Sequence, residues 1–208
     1  MILLLGSSGM LGRSFISALS GNGATAPAVL APTHADLDVT NEVMVWKYFK
    51  TYRPICVVNC IAHTDVDDCE KDPKKAYLLN ARIVQHIGQA SKRFHAKFIQ
   101  ISTDYVFDGE KDVYREEDEC NPLQVYGQTK LEGERLALEY KALVFRVQWL
   151  FGRGKKNFVT WVMETVGKGD AVQVSQTQIG CPTGTDWLAR TILMAAQQKW
   201  SVHLSSST

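Results

Sequence analysis

The chain has 208 residues and almost no net charge, +1 at pH 7. Without an excess of one sign there is no electrostatic attraction to a polyanion or an anionic bilayer, so neither nucleic acid nor membrane is an expected partner. Long apolar runs are also missing. The longest, such as "ILLLG" (2–6) and "ICVVNCIA" (55–62), fall far short of the roughly 20 residues that a spanning helix needs. No basic segment precedes the first apolar stretch, and "MILLLGSSG" soon reaches glycine; this argues against a signal peptide and for a cytoplasmic protein. Cysteine is scarce and unpatterned. The five at 56, 60, 69, 120 and 181 are odd in number and contain no Cys-x-x-Cys, which excludes a disulfide framework and suits reduced thiols. Cys56 and Cys60 are even-spaced within one apolar run and read as small buried hydrophobes on one side of a strand. The histidines at 34, 63, 86, 95 and 203 have no metal-ligand spacing, so no metal site is expected. There is no internal repeat and no low-complexity segment.

What is present is an ordinary core-forming composition, 45% hydrophobic and 22% charged, enough for one large domain or one domain with a small appendage. Short apolar runs alternate with helical stretches. "ILLLG" is a first strand and a helix follows over 10–19. "PAVLA" (27–31) is a second strand, and Asn41 caps a helix that runs to Tyr52 before Pro54. "ICVVNCIA" is a third strand, followed by a helix over 73–93, and "AKFIQIS" (96–102) is a fourth. Asn121 and Pro122 read as the cap and first position of the next helix, and "ALVFRVQWLFG" (142–152) as a fifth strand. Strands apolar on both faces and separated by helices predict a parallel sheet covered on both sides: a Rossmann-type, doubly wound α/β fold. After Gly152 a helix over "NFVTWVMETVGKG", a strand at "AVQVS", a turn-rich link, a helix over "TDWLARTILMAAQQK" and a strand start at "WSVHLSS" are expected. The charged segment 108–120 reads as a loop at the carboxyl edge of the sheet, where such folds carry function.

The first strand runs into "GSSGMLG", which places Gly6, Gly9 and Gly12 at three-residue spacing. Glycines there permit a tight turn and let backbone N–H groups and a helix N-terminus approach a pyrophosphate. A flexible turn without ligand is the bland alternative. The acidic residue that often binds the adenosine ribose is missing: Pro32, Thr33 and His34 occupy the end of the second strand, which disfavours strict NAD specificity. Thr33, His34 or Arg13 is then available to a 2′-phosphate.

"STDYVFDG" (102–109) ends the fourth strand with two hydroxyls, Ser102 and Thr103, that alternation sends to opposite faces, so one of them can face a ligand. "VYGQTK" (125–130) follows. A Tyr-x-x-x-Lys pair arises by chance often enough to mean little alone. Here Tyr126 and Lys130 share one face of a helix that starts near the same edge. A phenol titrates near about 10, and an adjacent ammonium lowers it towards neutral pH. A hydroxyl, a phenol and an ammonium beside a dinucleotide turn form a carbonyl–alcohol redox set.

The order "GSSGMLG", "NCIAHTDVDDCE", "STDYVFDG", "YGQTK" and "FRVQWLFG" resembles the extended short-chain dehydrogenase/reductases and, within them, the dTDP-4-dehydrorhamnose reductase family, over nearly the whole chain. The resemblance implies reduction of the 4-keto group of a dTDP-sugar, dTDP-4-dehydro-β-L-rhamnose, with NADPH (or NADH). Thr103 would bind the keto oxygen, Tyr126 would protonate it, and Lys130 would hold the nicotinamide ribose and lower the Tyr126 pKa. Asp104 and Trp149 would contact the sugar nucleotide. Gly9, Met10, Leu11 and Gly12 would cradle the pyrophosphate, Asp38 and Val39 would lie by the adenine, and Ala62, His63 and Thr64 along the cofactor. Asn80 would support the site. The implied division is a dinucleotide-binding domain over 1–152 and a partial, C-terminally short substrate-binding region over 153–208. Two departures stand out: Gln148 precedes Trp149 where the family usually has Ser or Thr, and family members continue past "HLSSST" by several elements that complete the substrate region. Ser14 also stands where the family's acidic metal ligand would be, so no metal site is expected. The resemblance allows a homodimer. It also leaves open another 4-keto nucleotide sugar, or a non-catalytic regulatory subunit like the β subunit of methionine adenosyltransferase.

Overall fold

Ile2–Leu5, four apolar residues in succession, form β1 and all four are buried. The computed structural model describes residues 1–20, 26–154, 157–173 and 179–198. In chain order these form β1, α1 (Met10–Ser20), β2 (Val29–Leu30), α2 (Glu42–Tyr52), β3 (Cys56–Asn59), α3 (Val66–Lys71), α4 (Pro73–Tyr77), a π turn (Leu78–Arg82), α5 (Ile83–Phe94), β4 (Lys97–Thr103), a 3-10 turn (Asp104–Val106), α6 (Val125–Glu139), β5 (Leu143–Val147), α7 (Phe158–Gly167) and α8 (Thr185–Gln197). The strands lie in the order β2-β1-β3-β4-β5, and every pairing is parallel. Leu3, Leu5, Val57 and Phe98 face a core that includes Val45 and Phe49 of α2 and Ile83 and Ile87 of α5. Ile2, Leu4, Val58, Ile99 and Ile101 face a second core with Leu11 and Phe15 of α1 and Leu188 and Ile192 of α8. Cover on both faces is why the strands read as unbroken apolar runs. Strand order reverses beside β1, which opens a crevice at the carboxyl edge between β1 and β3.

The cap read at Asn41 is present: its Oδ1 accepts from the Met44 N–H at 3.1 Å. The helix expected over 73–93 forms, with a π turn inside it. Ahead of it lies the unforeseen α3, capped by Asp65. The start expected at Asn121 and Pro122 is corrected: α6 begins at Val125. Its first N–H is held by a distant carboxylate, Glu70 Oε1 at 2.7 Å, while Asn121 donates to Asp108 at 3.1 Å. The strand expected at "AVQVS" does not form over residues 171–173. The remainder of that run, and "WSVHLSS", lie outside the described residues. All five cysteines are free thiols, and Cys56 and Cys60 both pack into the α1/α8 core as expected.

Candidate active site

The crevice is a cleft of about 390 Å3 at the carboxyl edge of the sheet. One wall is the turn between β1 and α1. Gly6 has φ of +79°, and a Cβ there would meet the Cys60 carbonyl carbon at 2.9 Å. A Cβ on Gly12 would sit 2.3 Å from the Gly6 oxygen. The chain can fold this tightly only without side chains. The first N–H groups of α1, from Met10 to Gly12, have no intrahelical acceptor and face the cleft together with the positive end of the helix. That cradle fits a pyrophosphate.

Ala62 and Thr64, after β3, form the second wall, and Thr103, Asp104, Tyr126, Lys130 and Trp149 close the rest. Sequence reasoning had not singled out Cys60, Ile61, Val66, Ile101, Tyr105 and Leu150, which also line it. These are apolar or backbone-facing contributors with no motif of their own. Other expected residues are not part of the lining. Gly6 shapes the turn from behind. Asp38 Oδ1 accepts from the Thr40 N–H and hydroxyl at 2.9 and 2.7 Å. Val39 is buried in the core and its carbonyl accepts from His86 Nδ1 at 3.1 Å. The His63 ring turns to Asp68, with Nε2 2.8 Å from Oδ2. Of the groups considered for a 2′-phosphate, Arg13 instead donates to the Ser8 carbonyl at 2.9 Å, and Thr33 donates its hydroxyl to Asp36 at 2.7 Å.

The β4 end resolves the choice between its hydroxyls. Thr103 follows Ile99 and Ile101 on the α1/α8 face and opens to the cleft; Ser102 also lines it, but its hydroxyl is buried with no hydrogen-bond partner among the described residues. Tyr126 lies in the first turn of α6, with Tyr105 edge-on at 5.5 Å between ring centroids. Gly127 is required beside it, because a Cβ would stand 2.1 Å from the Tyr105 oxygen. Lys130, one turn on, is buried and donates to the Ile101 carbonyl at 2.6 Å.

The electrostatics correct one expectation. Burial pushes the Tyr126 phenol up, to about 12, and outweighs the opposing hydrogen bond from Thr103. Burial pushes Lys130 itself down, to about 8, against the upward pull of Glu134. At this depth desolvation of the charged form is the largest effect on each group.

Asn80, in the π turn, ties the site together. Its Oδ1 accepts from the His63 N–H at 2.8 Å, and its Nδ2 donates to the His63 carbonyl at 3.0 Å and to the Thr129 hydroxyl at 3.1 Å. One buried amide thus locks the chain after β3 to the helix that carries Tyr126 and Lys130. Nearby, Arg146 of β5 grips Glu134 at 2.8 Å, donates to the Glu116 carbonyl at 3.1 Å and lies over the Phe107 ring at 4.9 Å. It anchors the charged loop over 108–120.

A parallel sheet of this order, with a glycine turn at its switch point, defines a doubly wound, Rossmann-type α/β protein. More narrowly, the chain belongs to the family described as the RmlD substrate binding domain, whose model matches residues 1–207. It is 38% identical over 200 residues to the dTDP-4-dehydrorhamnose reductase of Aggregatibacter actinomycetemcomitans, covering 95% of this chain and 67% of that protein. To the Streptomyces griseus enzyme of the same name it is 40% identical over 191 residues, covering 90% and 62%. Among solved structures, a dTDP-4-dehydrorhamnose reductase from Clostridium acetobutylicum superposes with TM-score 0.84 at 41% identity, over 93% of this chain and 69% of that one. One from Bacillus anthracis, in complex with NADP, gives 0.88 at 30% identity, over 95% and 70%. The chain thus spans 62% to 67% of the length of these two curated relatives. Among the described residues no helix is long and apolar enough to cross a membrane.

Proposed function

We propose that the protein reduces the 4-keto group of a nucleotide sugar, dTDP-4-dehydro-β-L-rhamnose, to the alcohol of dTDP-L-rhamnose, using NADPH. The observation that carries this reading is the convergence of Thr103, Tyr126 and Lys130 on one cleft whose opposite wall is the glycine cradle. The relatives' names supply the substrate class, and the NADP of the B. anthracis structure supplies the cofactor. Residues 1–152 would hold the dinucleotide and the chain beyond them would contribute to the sugar side. Free thiols throughout suit a reducing cytoplasm.

NADPH, when bound, supplies the hydride and is oxidised to NADP+. The protein's own part is the proton and the orientation. Thr103 offers its hydroxyl to the keto oxygen. As the carbonyl carbon gains hydride, the C=O π electrons move to oxygen, and Tyr126 gives that oxygen its proton. A phenol raised to about 12 is fully protonated at neutral pH, the form a proton donor must start in, and it is still more acidic than the alcohol formed when the alkoxide takes its proton. Lys130 is held by one bond to Ile101 and keeps donors for the ribose hydroxyls of the cofactor.

The test is NADPH oxidation, followed by absorbance, on addition of dTDP-4-dehydrorhamnose. Tyr126→Phe should lose about 10²- to 10⁴-fold in kcat, with NADPH affinity unchanged. Binding of NADPH by the wild-type chain without substrate-dependent oxidation would overturn the reductase reading.

A further inference from the structure

Two buried amides interrupt the apolar runs of the sheet. Asn59 ends β3, and Gln100 stands directly beside it in β4. They are 0% and 2% exposed, and neither lines the cleft. A buried amide costs free energy unless it is hydrogen-bonded, and here a single line of bonds pairs both. Asn59 Oδ1 accepts from the Ile61 N–H at 3.1 Å. Asn59 Nδ2 donates to Gln100 Oε1 at 2.9 Å. Gln100 Nε2 then donates to the Ile101 carbonyl at 2.8 Å. The two ends are backbone groups of fixed sense, an N–H that only donates and a carbonyl that only accepts. Both amide orientations follow from that.

The line joins two parts of the cleft, because Ile61 and Ile101 both line it. Pairing of β3 with β4 stops at Asn59 and Gln100, whereas β4 continues beside β5 to Thr103. Ile101 is therefore the first residue of β4 without a β3 partner. Its carbonyl accepts from two side chains, Gln100 and, at 2.6 Å, Lys130 Nζ. A carbonyl oxygen has two lone pairs. Gln100 occupies one direction and leaves the other to the ammonium. We propose that Gln100 is a positioning residue for the nicotinamide half of the cofactor: through Asn59 it holds the Ile61 end of the cleft wall, and at the Ile101 carbonyl it fixes the anchor from which Lys130 reaches the nicotinamide ribose. The inference rests on the reductase reading above, in which Lys130 meets that ribose.

Two probes divide the cofactor. NADPH carries the nicotinamide ribose; adenosine 2′,5′-bisphosphate carries only the adenosine end. Gln100→Met keeps approximate size and loses both side-chain bonds. By calorimetric titration it should weaken NADPH about five- to tenfold, the size of one lost hydrogen bond, and leave the bisphosphate within about twofold of wild type. If Gln100 only filled the sheet, the two probes would weaken together or neither would weaken; either outcome overturns the proposal. Gln100→Met leaves the Asn59 NH2 without its acceptor, so a second variant guards against a folding defect. Asn59→Leu combined with Gln100→Met removes both amide side chains, and its denaturant midpoint should recover part of what the single variant loses. The selective loss for NADPH should remain in it. Recovery of NADPH affinity along with stability would also overturn the proposal. Neither titration needs turnover. A wild-type chain that bound NADPH but did not oxidise it on addition of substrate would end the reductase reading alone, and the two probes would still decide the role of Gln100.

Discussion

The two sides of the cleft are built by different means. Every residue of β1 and β3 is buried, and Tyr126 and Lys130 sit against that sheet at 8% and 3% exposure. At β5 and α7 the packing thins: all five residues of β5 are only half-buried, and α7 has no buried residue although it is largely apolar. The dinucleotide side is set by close packing, in which a glycine cannot accept even a Cβ. The wall beyond β5 is set by a few hydrogen bonds, at Gln148, at the pairing of Phe151 with Gly184, and at the cap of α7. Substitutions on the first side should therefore be felt in stability as well as chemistry, and on the second side mainly in geometry.

The largest stability effect falls on Lys130. A fall from an ordinary value of 10.5 to about 8 corresponds to about 3 kcal/mol of burial cost at neutral pH, to order of magnitude. Its removal leaves no group orphaned: Ile101 O still accepts from Gln100 at 2.8 Å, and Glu134 keeps Arg146 at 2.8 Å. Lys130→Met should then abolish reductase activity while stabilising the fold by about 2–3 kcal/mol at pH 7, read by denaturant unfolding. The sign with pH follows from linkage. Between about 8 and 10.5 the unfolded chain holds a proton on Lys130 that the folded chain has released, so wild-type stability rises with pH in that window relative to the variant. The gap between the two proteins should close above about pH 10. A gap that stayed constant from pH 7 to 10 would mean that Lys130 is not desolvated as its burial requires.

The contrast between the sides also decides what could be read from the sequence. The sheet and the glycine turn were legible because a strand covered on both faces must be apolar throughout, and because a turn between strand and helix at this edge needs glycine. The cap of α2 was legible because Asn41 and Met44 are neighbours in the chain. The start of α6 was misread for the opposite reason. Its cap is Glu70, which no local pattern near Asn121 announces. The π turn was invisible because Leu78–Arg82 has the composition of ordinary helix; its use appears only once Asn80 is seen reaching His63 and Thr129. Sequence spacing put Tyr126 and Lys130 on one face correctly. It could not report their depth, and depth reversed the expected direction for the phenol. Asp38, Val39 and His63 follow the family's order along the chain, yet their side chains serve a turn, the core and a contact with Asp68 rather than the lining.

Asn80 tests the packed side directly. Asn80→Ala removes three hydrogen bonds within 3.1 Å, two of them to the backbone of His63. The half-buried His63 N–H would be left without its acceptor, beside an Asn80 site that is itself 1% exposed. The expected loss is about 2–3 kcal/mol in denaturant unfolding. Because Thr129 lies between Tyr126 and Lys130, kcat should fall as well. A loss below about 0.5 kcal/mol would mean that water replaces the amide and that the site is less rigid than its hydrogen bonds imply.

Another asparagine, Asn157, makes the same kind of bonds on the loose side and sharpens the comparison. Its Oδ1 accepts from the Thr160 N–H at 3.1 Å, its own N–H donates to the Thr160 hydroxyl at 2.9 Å, and its Nδ2 donates to the Gly152 carbonyl at 3.0 Å. Like Asn80 it ties a helix to a neighbouring loop. Unlike Asn80 it is only half-buried, so water can take over the groups it releases. Loss of such a cap costs about 1 kcal/mol, and Asn157→Ala should destabilise by about that much, less than half the Asn80 effect. NADPH affinity should stay within about twofold, since the glycine cradle does not depend on α7. The side chain also contacts Met10 Sδ at 3.7 Å, and Met10 belongs to that cradle. If Asn157→Ala weakened NADPH binding tenfold while leaving stability near wild type, this weak contact would be coupling the two sides, and the loosely held region would be positioning the cofactor rather than only framing the sugar.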